Sequence, residues 1–208
     1  MIRRLSWVLF LSIAATACAP QSTPLVEPTG VPEQVTLEQA TPELAIPDGW
    51  TAYRDDAHGF ALAYPGSTAQ PTLGGDAAFF LTLPVDPSTN VVEETLAARI
   101  VPAGQPCASP LGSGFAPEEL APATVELGGH SWLRQTRSGV AAGTASTWVA
   151  YSTSRGERCV SLDYTLRTFD PANLDPTRFP TPPARVEWSE REAIFEQVVA
   201  SFLWMDGG

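Results

Sequence analysis

The sequence predicts an α+β fold, a single antiparallel β-sheet packed by one C-terminal helix, and two observations carry that expectation. Between residues 50 and 170 the apolar residues recur mainly at every second position, in runs interrupted by Gly, Asp and Pro, which is the period of half-buried strands joined by turns. Near the end of the chain they recur at every third or fourth position, the period of one helix face.

Taken in order, the elements justify themselves as follows. The globular part begins near Trp50, and in "GFALAYPG" Phe60, Leu62 and Tyr64 alternate with Ala61 and Ala63 until Pro65 and Gly66 stop the run. "AAFFLTL", residues 77–83, is a strand apolar enough to be central. "TNVVEETLAARIV" is ambiguous: Val92, Leu96 and Ile100 are spaced for a helix, Leu96, Ala98 and Ile100 for a strand, and the second half is read as strand. "ATVEL", Gly128-Gly129 and "HSWLRQTR" spell a hairpin, because paired glycines suit the positive φ angles of a tight β-turn. "TASTWVAYSTS", "RGE" and "RCVSLDYTLRT" spell a second, in which Val160, Leu162, Tyr164 and Leu166 share one face and Ser161, Asp163, Thr165 and Arg167 the other. Such alternation suits an antiparallel sheet buried on one side. The proline-rich "FDPANLDPTRFPTPPARVEW" reads as a loop. In "SEREAIFEQVVASF", Ser189 and Glu192 have capping-box spacing, and Ile194, Phe195, Val198, Val199 and Phe202 form a stripe to pack on the sheet.

Three of these pieces together resemble the Mog1/PsbP-like domains of bacterial lipoproteins: the start "WTAYRDDAHGFALAYP", the long middle hairpins, and a closing helix that runs into Ser201-Phe202. The resemblance spans Trp50 to Met205 and implies an antiparallel sheet covered by helices, in a class of assembly and binding proteins. It transfers no catalytic residue.

Ahead of the domain, Arg3 and Arg4 precede an apolar run from Leu5 to Ala14 and then small residues, the order of a secretory signal over 1–17. A membrane span needs about 20 apolar residues, and this run is shorter. Residues 18–47 carry six prolines and four glutamates without arginine, so they read as a flexible, partly extended linker to a globular domain at 48–208. The small residues Ala15, Thr16 and Ala17 run into Cys18, which resembles a bacterial lipobox, with Ala15 where that pattern most often has Leu. The resemblance implies cleavage before Cys18 and a diacylglycerol on its thiol, anchoring the chain to a membrane facing the periplasm or cell exterior.

With Cys18 acylated, Cys107 and Cys159 remain. Outside the reducing cytosol their expected use is a disulfide; the rival use is a free nucleophile activated by His130. Ser113 in "LGSGFA" lacks the G-x-S-x-G spacing of a nucleophile elbow. The chain contains no lysine and only two histidines, His58 and His130, which excludes a Schiff-base lysine, a P-loop lysine and a three-histidine zinc site. Loss of residues 1–17 takes the formal net charge from −11 to −13, which argues against nucleic acid as a partner. Asp55, Asp56 and His58, and likewise Asp170, Asn173 and Asp175, read as turn and loop residues, so neither a metal nor a cofactor is expected. Arg134, Asp163 and Arg167 are expected to meet on the polar side of the sheet, with Trp132 or Trp148 adding aromatic contacts; such a face reads first as solvated or helix-covered surface and second as a binding face.

The function expected is a non-enzymatic, lipid-anchored binding or assembly protein that meets an envelope partner. The alternative is an extracytoplasmic hydrolase using Cys107 or Ser113.

Overall fold

The computed structural model describes residues 43–66, 71–74 and 77–205; the signal at 1–17, Cys18 and the linker as far as residue 42 lie outside them. The first strands are β1 (Trp50–Asp55) and β2 (Phe60–Pro65), followed by β3 (Thr72–Gly74), β4 (Ala77–Thr82) and β5 (Val91–Val101). A long loop, residues 102–122, leads to β6 (Ala123–Leu127), β7 (His130–Ala141), β8 (Thr144–Arg155) and β9 (Arg158–Phe169). The helix α1 (Trp188–Ala200) and a two-residue strand β10 (Leu203–Trp204) close the fold.

The strands form two sheets, which corrects the single sheet expected. Seven of them run in the order β3-β4-β5-β9-β8-β7-β6, and β1-β2-β10 form a second, three-stranded sheet. No described strand of one sheet pairs with a strand of the other: β2 has β1 on one side, and on its other side β10, which returns after α1 to set Leu203 opposite Ala61 and Trp204 opposite Phe60. Two further expectations are revised. β4 lies one strand in from an edge rather than at the centre, and β5 is strand throughout, pairing with β9 from Val91 to Val101.

Both expected hairpins are present. Gly128 and Gly129, at φ 58° and 77°, turn β6 into β7, and Gly156-Glu157 turns β8 into β9. A third, between β7 and β8, uses Ala142 and Gly143, again both at positive φ.

The core lies between the large sheet and a second layer made of α1 and the small sheet. Val160, Leu162, Tyr164 and Leu166 of β9 are buried there, as their alternation predicts. Tyr164 stacks on Phe195 of α1 at 5.2 Å, and Tyr64 and Tyr53 close on Phe79 at 5.3 and 4.6 Å. Phe202, just past the helix, stacks on Phe60 and meets Trp132 edge-on. Ser201 fixes that exit: its hydroxyl accepts from the Ala63 N–H at 2.9 Å and donates to the Val198 carbonyl at 2.7 Å.

The capping box does not form. Helix α1 starts one residue before Ser189, with Glu187 as N-cap and no side-chain cap. Glu192 is instead engaged by Arg134 of the sheet and by Trp188 Nε1 of its own helix, accepting from both. A second link to the helix runs from Tyr151, which donates to Glu196 at 3.1 Å, and within the sheet Tyr164 donates to buried Glu94 at 2.6 Å. Burial, reinforced by Glu94, pushes the Tyr164 phenol far above its ordinary value. Among the described residues no helix is long and apolar enough to cross a membrane.

Candidate functional site

The face of the large sheet that points away from α1 holds a concentrated polar arrangement around Asp163. Strand register sets its membership: Asp163 of β9 stands opposite Ala97 of β5 and Ala150 of β8, and Ala150 stands opposite Gln135 of β7. The next row of that face, two residues along, joins Thr165, Trp148 and Arg137, and the row after it Arg167, Ser146 and Gly139.

The three residues expected to meet on one face do not. Asp163 and Arg167 are on this outer face, but Arg134 pairs in register with Tyr151 and so belongs to the core face. There it donates to Tyr151 and Glu192 and helps fasten the helix. Arg167 is partly exposed and paired with Glu93 at 2.9 Å. Trp132 is buried on the core side, whereas Trp148 is on the outer face, near Asp163.

Loop 102–122 has to pass from β5 to β6 at the far edge, and it does so across β9, β8 and β7. It is fastened at successive points. Cys107 is joined to Cys159 at the start of β9, with an S–S length of 2.04 Å. Two residues on, the Ser109 hydroxyl donates to Asp163 Oδ1 at 2.6 Å while its N–H donates to Gln135 Oε1 at 3.3 Å. Farther along, Phe115 lies under the Arg137 guanidinium, 3.6 Å from ring centroid to Cζ. Leu120 is buried as the loop ends.

Asp163 ties the loop to the sheet. Only 3% exposed, it also accepts from Trp148 Nε1 at 3.2 Å, and its second oxygen faces Arg99 Nε at 3.1 Å outside hydrogen-bond geometry. Burial pushes its carboxyl up to about 6, although Ser109 and Arg99 both pull it down. One carboxylate therefore sets the position of the loop and the orientation of the Trp148 indole.

Beside that indole is an open recess of about 310 Å³, bounded by Leu111 and Phe115 of the loop and by Arg137, Gly139, Trp148 and Thr165 of the sheet. No family model and no curated protein matches the sequence. Among solved structures, the chain is similar to a crystal structure from Bacteroides thetaiotaomicron at 12% identity and a TM-score of 0.41, over 77% of this chain and 50% of that one. It is also similar to LpqN of Mycobacterium tuberculosis, described as involved in cell envelope biogenesis, at 16% identity and a TM-score of 0.30, over 68% and 78% of the two chains. The chain thus spans half the length of the Bacteroides protein, and neither likeness assigns a family.

The remaining candidates have other employment. Asp55 accepts from the His58 N–H at 3.0 Å and faces its Nδ1 at 2.8 Å, closing the β1–β2 turn. Asp170 accepts from Ala172 N–H and from Arg185, and Asp175 accepts from the N–H and hydroxyl of Thr177. Among the described residues no group of three metal-ligating side chains occurs. His130 packs edge-on against Phe202 and Trp132. Ser113 is exposed, with its N–H on the Pro110 carbonyl. Arg137, which lines the recess, has no distinguishing mark in the sequence; only the strand register singles it out.

Proposed function

We propose that this chain is a lipid-anchored, extracytoplasmic binding protein without a catalytic centre, and that the recess beside Trp148 is its binding site. The observation that carries the reading is the fastening of loop 102–122 by Cys107–Cys159 and by Ser109–Asp163, which holds an aromatic-lined hollow open on the outer face. Pre-formed hollows with a few polar groups are the usual form of ligand sites, and about 300 Å³ is the lower end of their range. Export is supported by the disulfide, since such bonds persist outside the reducing cytosol. The hydrolase alternative loses support because the Cys107 sulfur is bonded to Cys159, and a thiolate is needed for attack. The Mog1/PsbP-like reading belongs to the same proposal: the Gly-Phe-x-x-x-Tyr-Pro start is β2, and Ser201-Phe202 joins the helix to it. Lipid on Cys18 supplies the anchor, and a partner in the envelope supplies or receives the ligand.

The test is cell fractionation with chemical labelling. Wild type is expected in the membrane fraction and Cys18→Ser in the soluble fraction, because two or more acyl chains hold a protein on a bilayer where none does. Equal release of both forms refutes the anchor. Stoichiometric labelling of Ser113 by a fluorophosphonate refutes the non-catalytic reading.

A further inference from the structure

We infer that the recess takes a small organic anion, a carboxylate or phosphate on an apolar or aromatic body, with Arg137 as its charge-recognising residue. The inference rests on the recess being the binding site and names the chemistry of what it binds.

Arginines elsewhere in the described domain commonly face a carboxylate: Arg54, Arg99, Arg134, Arg167, Arg178, Arg185 and Arg191 all do. Arg137 does not. It is exposed and stacks on the Phe115 ring, whose centroid is 3.6 Å from the guanidinium carbon. A guanidinium carries its five N–H groups in its own plane and stacks readily on an aromatic face. Stacking on Phe115 fixes the plane without consuming the donors, so a forked N–H edge is left for a bidentate carboxylate or phosphate. In a chain of net charge −11, an arginine at the rim of a hollow with no carboxylate partner among the described side chains is a selective feature.

The rest of the wall suits the body of such a ligand. The Trp148 indole is held by Asp163 and is already oriented before anything binds. Leu111 is an exposed apolar residue on the opposite wall, and Thr165 adds a hydroxyl. Room is left by Gly139: a Cβ built there meets nothing within 4 Å. That position also supplies a blocking variant, since a bulky side chain there takes up space at the wall of the hollow and its Cβ displaces nothing.

The experiment is ligand-observed NMR on the full-length protein in detergent micelles, with phenyl phosphate and benzoate as anionic probes, benzyl alcohol as neutral probe and inorganic phosphate as anion without a body. Saturable binding of phenyl phosphate or benzoate is expected, with inorganic phosphate and benzyl alcohol each at least about tenfold weaker. Arg137→Gln should weaken the anionic probes on the order of tenfold or more, as loss of a charge-assisted bidentate contact does. Gly139→Leu should abolish binding while circular dichroism stays unchanged. Benzyl alcohol binding as tightly as the anions, sensitive to Gly139→Leu but not to Arg137→Gln, overturns the inference and leaves the binding-site reading standing. Binding unaffected by either variant, or absence of binding by both anionic probes, overturns the inference as well.

Discussion

Asp163 shows how one residue can shape a recess without lining it. Its carboxyl, raised to about 6 by burial, lies above the ordinary value of 3.8. The folded protein therefore binds a proton more readily there than the unfolded chain does, so its contribution to stability is full below about pH 4 and is lost as pH rises through about 6. With a shift of about two units the loss is on the order of 3 kcal/mol. Urea unfolding at about pH 4.5 and pH 7 checks this: relative to Asp163→Asn, wild type should lose stability between the two, and parallel behaviour would contradict it. Gly128 makes a different single-residue demand. It sits at φ 58°, and a Cβ there would lie 2.2 Å from the Ala200 carbonyl oxygen at the end of α1. Gly128→Ala is expected to cost more than about 1 kcal/mol in thermal or denaturant unfolding, because both the φ angle and the contact oppose a side chain. A neutral Gly128→Ala would mean that the turn and the helix end move apart freely. At this scale the sequence was only partly readable. The alternation of β9 was plain, but the membership of Arg134 was not, since its face depends on pairing with β8. Two tight turns contain that information: Ala142-Gly143 sets Arg137 opposite Trp148, and Gly156-Glu157 sets Trp148 opposite Thr165.

Among elements, loop 102–122 depends most on covalent chemistry. The Cys107–Cys159 bond spans 52 residues, and closing a loop of that length stabilises by about 4 kcal/mol in the chain-entropy model. The double variant Cys107→Ser, Cys159→Ser should unfold at correspondingly lower denaturant, and amide exchange should rise first between residues 102 and 122. Unchanged exchange in that segment would show that Ser109, Phe115 and Leu120 suffice to hold it. The loop's path was not legible because its contacts are single residues scattered over prolines and glycines, with no period to follow. Helix α1 was legible from Phe195, Val198 and Val199, all buried as the stripe requires. Its start was not, because Arg134 and Trp188 recruit Glu192 away from the cap. In β5 the helix-like spacing of Val92, Leu96 and Ile100 was overridden by pairing with β4 and β9 on both sides.

For the whole molecule, the division of labour is between faces. The core face of the large sheet is closed by α1 and the small sheet; the outer face is crossed by one loop and keeps the recess. Alternation predicted the strands well but not their partition into two sheets, since it does not say which strands pair, and the last strand of the small sheet is two residues long and follows the helix. That late strand has a consequence for the order of synthesis. A ribosome releases β1 and β2 early, yet the edge of β2 that β10 covers stays open until residues 203 and 204 have emerged. Over that interval the edge presents unpaired backbone donors and acceptors beside Phe60 and Leu62, the kind of surface that pairs with other chains. The small sheet is therefore completed only once the segment after α1 is available, and the dipeptide Leu203-Trp204 acts as the point at which assembly becomes safe to finish.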